Sequence, residues 1–151
     1  MLEMKVNSGF NLLELLVTLT IVGILAAIGV PSFNVLIENQ RIRSASNDLI
    51  ASLNFARSEA ITKNTAVTMT QVTGGWVNGW TVSTAGGTVQ NADGFGGVAV
   101  TASTTTFQYN SDGRTTSAVT FSLVPSSGNS GRAKCVTVSL SGKPTSESGE
   151  C

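Results

Sequence analysis

The sequence predicts an α+β protein, with one long N-terminal helix followed by a mostly antiparallel β-sheet domain. Three observations carry this. Residues 10–30 form an almost unbroken apolar run. A stripe of apolar residues at helical spacing then continues to about Asn64. Beyond Asn64 the apolar period changes from 3.6 to 2, the mark of half-buried strands. A chain of 151 residues suits one domain beside the apolar N-terminus.

The apolar run from Phe10 to Val30, at ~1.5 Å rise per residue, spans the ~30 Å hydrocarbon core of a bilayer. Glu14 interrupts it. An ionised carboxylate in hydrocarbon costs several kcal/mol, so such a residue is read as functional and partnered. Lys5 precedes the run, and no positive charge follows until Arg41. That asymmetry keeps the N-terminus cytoplasmic and sends the remainder outward. A secretory signal peptide would end in a small-x-small cleavage site and carry no acid within its apolar core. Here no clean site of that kind ends the run, and Glu14 lies within it.

Gly9-Phe10, Glu14, the stretch Ile21-Val22-Gly23-Ile24-Leu25-Ala26-Ala27-Ile28 and Pro31 together resemble the N-terminus of type IV pilins and type II secretion pseudopilins. The usual G-F-T-L-I-E of that superfamily stands here as G-F-N-L-L-E, with Asn11 and Leu13 as departures. The resemblance implies a type IV pilin-like fold and a prepilin peptidase that cuts after Gly9 and methylates Phe10. It also implies that Glu14 pairs with the new Phe10 amine of its own or a neighbouring subunit during filament assembly. The organisation that follows is a leader over 1–9, a transmembrane and filament-core helix over 10–31, its amphipathic continuation over 32–64, and a β-rich domain over 65–151. Other pilins and minor pilins are the implied partners. The inner membrane, with the C-terminal domain in the periplasm, is the implied location before assembly, and the pilus afterwards.

Pro31 removes an N–H and clashes with the carbonyl of Ala27, so the helix is expected to kink or loosen there, with Gly23 and Gly29 weakening the same region. From Ser32 the stripe Ile42, Ala45, Leu49, Leu53, Ala56 and Ala60 recurs at spacings of three and four. Glu38 with Arg41, and Glu59 with Lys63, are helix-spaced ion pairs worth a few tenths of a kcal/mol each. Strands are expected over Ala66–Val72 and Trp76–Val82 around the Gly74-Gly75 turn. Gly86–Gly97 reads as a Gly-rich loop. Further strands are expected at Phe107–Tyr109, Ala118–Val124 and Ala133–Leu140, with turns at Asn110–Arg114 and Ser141–Pro144 and a flexible loop over Pro125–Gly131. The sequence G-G-W-V-N-G-W-T-V and the Asp112-Gly113-Arg114 turn resemble the GspH/FimT branch of pseudopilins and minor pilins.

Formal net charge is zero and histidine is absent. A protein-wide basic field and the commonest general base are thereby excluded. No P-loop, nucleophile elbow, paired catalytic acids or metal cluster is present, and Gly94–Gly97 lacks the strand-then-helix context of a phosphate cradle. The expectation is a non-enzyme without a cofactor. Cys135 and Cys151 are the two cysteines. In an exported domain an even count favours a disulfide, worth about 3 kcal/mol for a loop of this length in the chain-entropy model. Two free thiols are the alternative.

Gly131-Arg132-Ala133-Lys134-Cys135, with Lys143 beyond it, is the remaining constellation. In an extended chain Arg132 and Lys134 would share a face. The Gly-Arg-x-Lys-Cys pattern resembles the C-terminal DNA-binding region of FimT-type minor pilins, which implies double-stranded DNA as a partner and a role in natural transformation. Arg132, Lys134 and Lys143 would then contact phosphates without reading sequence. The competing reading is of solvated strand-end charges partly cancelled by Glu147 and Glu150. Arg114 is a weaker contact residue, because Asp112 is placed to pair with it. Trp76 and Trp80 suit hairpin packing better than base stacking. Alternatives to a DNA-uptake pilin are a FimU-like minor pilin that primes assembly and the minor pseudopilin H of type II secretion.

Overall fold

The computed structural model describes residues 11–151, so the leader and the Gly9-Phe10 junction lie outside the described residues. Helix α1 runs Leu12–Lys63 for 52 residues. The loosening expected at Pro31 does not break it, because one absent N–H leaves the hydrogen bonds of the flanking turns in place. The helix ends where the sequence indicated. Asn64 takes a left-handed conformation with φ 47°. The Thr65 N–H donates to the Ala60 carbonyl at 3.1 Å, and the Asn64 N–H to that of Ile61 at 3.3 Å. These are the paired bonds of a Schellman ending, with Asn in the position more often held by Gly.

The chain divides into two units, one ending at Ile37 and the other comprising Glu38–Cys151. In the first, every described side chain from Asn11 to Ile37 is exposed. In the second, Ile42, Ala45, Leu49, Leu53, Ala56 and Ala60 are each at most 2% exposed. This is the stripe read from the sequence.

The strands are β1 (Val67–Gln71), β2 (Gly79–Thr84), β3 (Gly87–Asp93), β4 (Val98–Ala102), β5 (Thr106–Tyr109), β6 (Val119–Pro125), β7 (Lys134–Val138) and β8 (Pro144–Ser148). They form two four-stranded sheets, ordered β3-β2-β1-β5 and β4-β6-β7-β8. All six strand pairings are antiparallel. Alternation sets the buried face. In β6, Val119, Phe121, Leu123 and Pro125 point inward while their neighbours are half-exposed. Side chains from both sheets join the α1 stripe in one buried cluster. Its centre is aromatic, with Trp76 meeting Phe121 edge-on at 4.9 Å between ring centroids.

Four expectations are corrected. Trp76–Asn78 is a 3-10 turn rather than the start of a strand. It directs Trp76 into the core, where the indole N–H donates to the Thr104 carbonyl at 2.7 Å. The Gly-rich segment contains β3, an edge strand whose side chains are mostly exposed and which therefore shows no apolar alternation. The polar tail contains β8, likewise an edge strand. Glu38 does not pair with Arg41. Its carboxylate takes Arg132 instead, while the Arg41 side chain lies over Gly97. Glu59 and Lys63 do form their ion pair.

Arg57, on the helix, fastens two turns of the sheets. Its Nε donates to the Gly113 carbonyl at 3.0 Å and its Nη2 to the Ser141 carbonyl at 3.1 Å. The two turns touch through their backbones. Gly142 has φ +77°, and a Cβ there would stand 1.8 Å from the Gly113 oxygen, so only glycine fits.

Near this clamp Tyr109 is fully buried and its hydroxyl has no hydrogen-bond partner among the described residues. Burial raises the phenol pKa well above its ordinary value, and the Arg57 charge offsets a small part of that rise. Above pH ~10 the unfolded phenol loses a proton that the folded one keeps, so this group makes stability fall as pH rises. Tyr109→Phe is expected to weaken that alkaline loss in urea titrations from neutral to alkaline pH. At neutral pH its stability should match or exceed wild type by about 1 kcal/mol. An unchanged alkaline slope would contradict this.

Candidate functional site

The N-terminal end of α1 is built for exposure. Asn11 caps the helix, its Oδ1 accepting from the Leu13 N–H at 3.3 Å and its carbonyl from the Glu14 N–H at 3.0 Å. Asn11, a departure from the superfamily pattern, is thus a sound N-cap. Glu14 falls in the first turn, where the helix dipole favours an anion. Leu12, Leu13, Leu16, Leu19, Leu25 and Ile28 around and beyond it are between 58% and 75% exposed. An 18-residue window of α1 has mean hydropathy 2.4 and is unburied, so by length and composition it is able to cross a membrane. Thr18 and Thr20 do not spoil it, because each hydroxyl donates to a carbonyl of its own helix, Leu15 and Leu16. Gly9 and Phe10, the expected processing junction, lie outside the described residues.

The basic corner is arranged differently from the sequence expectation. Arg132 ends a 3-10 turn, Ser130–Arg132, set by Asn129, whose side chain accepts from the Gly131 N–H. Its Nη1 meets Glu38 Oε2 at 2.6 Å, and both side chains are only 25% exposed. Lys134 opens β7, and its Nζ donates to Ser148 Oγ on β8 at 3.3 Å. Arg132 and Lys134 line one depression together with Arg43 of α1. Arg43 and Lys134 also line the adjoining one, with Ser46 and Ser146. Those two serines share a hydrogen bond of 2.9 Å.

Lys143 is not part of this group. It is exposed in the turn between β7 and β8, while Lys134 is at the open end of that hairpin. Five residues of strand separate the two ends, about 16 Å. The acid that compensates this corner is Glu38, and neither Glu147 nor Glu150 forms an ion pair among the described residues. Arg43 went unnoticed in the sequence because it lies 91 positions before Lys134 (134 − 43) and occupies the polar face of an ordinary amphipathic helix.

Cys135 and Cys151 are bonded, with Cα atoms 4.9 Å apart. The bond ties Cys151 to β7, beside the basic corner. Asp112 does not hold the Arg114 side chain. Its Oδ1 accepts from the Arg114 backbone N–H at 3.0 Å, an Asx-type turn that leaves the guanidinium exposed. Trp76 and Trp80 are 3% and 1% exposed, so both belong to the core.

Residues 45–142, about two thirds of the chain, match the family described as Type II transport protein GspH. The chain belongs to the GspH family. Residues 4–30 of this GspH-family protein match the prokaryotic N-terminal methylation motif. It is therefore a minor type IV pilin or pseudopilin, a family of structural subunits. Two crystal structures of the type IV minor pilin FimU of Pseudomonas aeruginosa PAO1 share its fold. The form in space group P21 gives a TM-score of 0.66 at 21% identity, covering 74% of this chain and 92% of that one. The form in P65 gives 0.62 at 22% identity, covering 70% and 91%. No curated protein matches the GspH-family chain in sequence.

Proposed function

We propose that this chain is a minor pilin that prepilin peptidase cleaves after Gly9 and methylates at Phe10. Residues 10–31 then hold it in the inner membrane, with the C-terminal domain in the periplasm, until it enters a type IV pilus. The observation that carries this reading is the exposed apolar stretch of α1 with one carboxylate, Glu14, in its first turn. Such a surface needs lipid first and neighbouring helices afterwards. The Phe10 ammonium created by cleavage is a natural partner for Glu14, since two opposite charges enter an apolar core at less cost together than apart. One form of this reading is a FimU-like minor pilin that primes pilus assembly without binding DNA, and the shared fold supports it. The GspH family also supports a place in a type II secretion pseudopilus, through the same chemistry.

A second reading adds DNA capture for uptake. It is favoured by the cluster of Arg43, Arg132 and Lys134, whose Coulomb field would hold phosphates without reading bases. Arg132 contributes less than its charge suggests, because Glu38 already neutralises it. Lys143 would contact a separate phosphate farther along the duplex.

Glu14→Ala is expected to leave membrane insertion intact and to remove the protein from sheared filaments, as read by immunoblots of both fractions. Normal recovery of the variant in sheared filaments would reject the assembly role. For DNA, duplex binding by the detergent-solubilised protein should weaken with salt at a log–log slope of about −3. Lys134→Ala and Arg43→Ala should each reduce that slope by about 0.9, and Arg132→Ala by less. If the triple variant binds as wild type does, the DNA reading fails while the assembly reading stands.

A further inference from the structure

We propose that the cleft between α1 and the β2–β3 edge of the first sheet is a binding site for an organic cation, a guanidinium or ammonium group carrying a nearby hydrogen-bond acceptor. The cleft has a volume of about 540 Å³, within the range of small-molecule sites. Asp48 from α1 and Asp93 from the end of β3 both line it. Neither carboxylate forms an ion pair among the described residues, and the lining includes no basic residue. Phe55 and Phe95 supply aromatic surface. Phe95 packs against Trp80 at 5.4 Å between centroids, and Phe55 is 40% exposed. Carboxylates beside aromatic faces favour a cation over a neutral or anionic guest.

A second, independent observation points to a ligand. Trp80 lines the cleft and is 1% exposed, yet its Nε1–H has no acceptor. Gln90, which lines the same cleft, has an Oε1 with no donor. A buried donor and a buried acceptor left unpaired in one wall are costly features. The sheet places them together. Trp80 is opposite Ala92 and Val82 opposite Gln90, so Trp80 and Gln90 share the face turned to α1. Both atoms are closed off from solvent, so a small shift of the Trp80 and Gln90 side chains admits the guest, and a cationic N–H group with a carbonyl then satisfies both at once. The carbonyl accepts from Trp80, an N–H donates to Gln90, and the charge rests between Asp48 and Asp93. An arginine residue has this chemistry, and its source is either a free amino-acid-like molecule or a side chain of a neighbouring protein subunit.

The two tryptophans give the test its reporter and its control. The Trp76 indole N–H is already bonded to the Thr104 carbonyl at 2.7 Å and should not respond. In 15N–1H spectra of the full chain in non-ionic detergent, N-acetyl-argininamide should move the Trp80 indole signal and leave that of Trp76 in place. N-acetyl-citrullinamide, equal in shape but uncharged, should move it far less. An Asp48→Asn/Asp93→Asn double variant should bind roughly tenfold more weakly, with an unmoved Trp76 signal reporting an intact core. An acetylated Gly-Arg-Gly amide separates the sources. Much tighter binding of the peptide identifies a protein side chain as the guest, and equal binding identifies a small free cation. The proposal is overturned if N-acetyl-argininamide leaves the Trp80 signal unmoved up to its solubility limit. It is equally overturned if the citrulline analogue binds as well, or if the double variant binds as wild type does.

Discussion

The apolar stripe on the second part of α1 is the constraint on which the domain depends. Ile42, Ala45, Leu49, Leu53, Ala56 and Ala60 form one buried cluster with residues of both sheets. Each sheet has four strands, and the two share no strand pairing. Without the helix, Val67, Met69 and Val82 of one sheet and Val119 and Val136 of the other would lose part of the cluster that buries them, leaving the contacts of Phe121 with Trp76 and Phe107 as the packing between the sheets. Arg57 adds a polar fastening to the same arrangement by gripping the Gly113 and Ser141 carbonyls. Alanines at positions 45, 56 and 60 permit close approach of the helix, Gly113 leaves room for Ile61 of the helix, and Gly142 does the same where the two turns meet.

The same helix serves two solvents. Up to Ile37 its described side chains are exposed and apolar or weakly polar, and from Glu38 it belongs to the folded domain. The change falls near the point where charge returns to the sequence, at Glu38, Arg41 and Arg43. A surface suited to lipid or to other helices thus passes into a surface suited to water within one continuous backbone. Glu14 is the exception in the apolar part, and its place in the first turn reduces the cost of its charge.

Much of this was legible in the sequence, and what was not has identifiable causes. The stripe, the stop at Asn64 and strands β1, β6 and β7 announced themselves because their apolar residues recur at the period of their own structure. Edge strands β3 and β8 did not, since strands exposed on most side chains carry Thr, Asn and Ser in place of an apolar alternation. Trp76 looked like a strand residue because its neighbours alternate, whereas the 3-10 turn is set by glycines 75 and 79, both with positive φ. The pairing of Glu38 with Arg132 and the nearness of Arg43 to Lys134 are products of tertiary folding. Local spacing favoured Glu38 with Arg41, and the long-range partner won because Arg132 is held half-buried beside it. The cleft beneath Asp48 and Asp93 was invisible for the same reason, its walls coming from a helix and a sheet edge whose two acids are 45 residues apart in sequence (93 − 48).

The central claim is that one helix surface holds both sheets in a single cooperative unit. Native-state hydrogen exchange on wild type and Leu53→Ala tests it most directly. The substitution removes about 2–5 kcal/mol of core burial. The slowest amides of β1 and of β6 should then lose protection by the same free energy, because both depend on the same contact. Loss of protection in one sheet with the other unchanged would contradict the account, showing two sheets that stand independently of their shared helix.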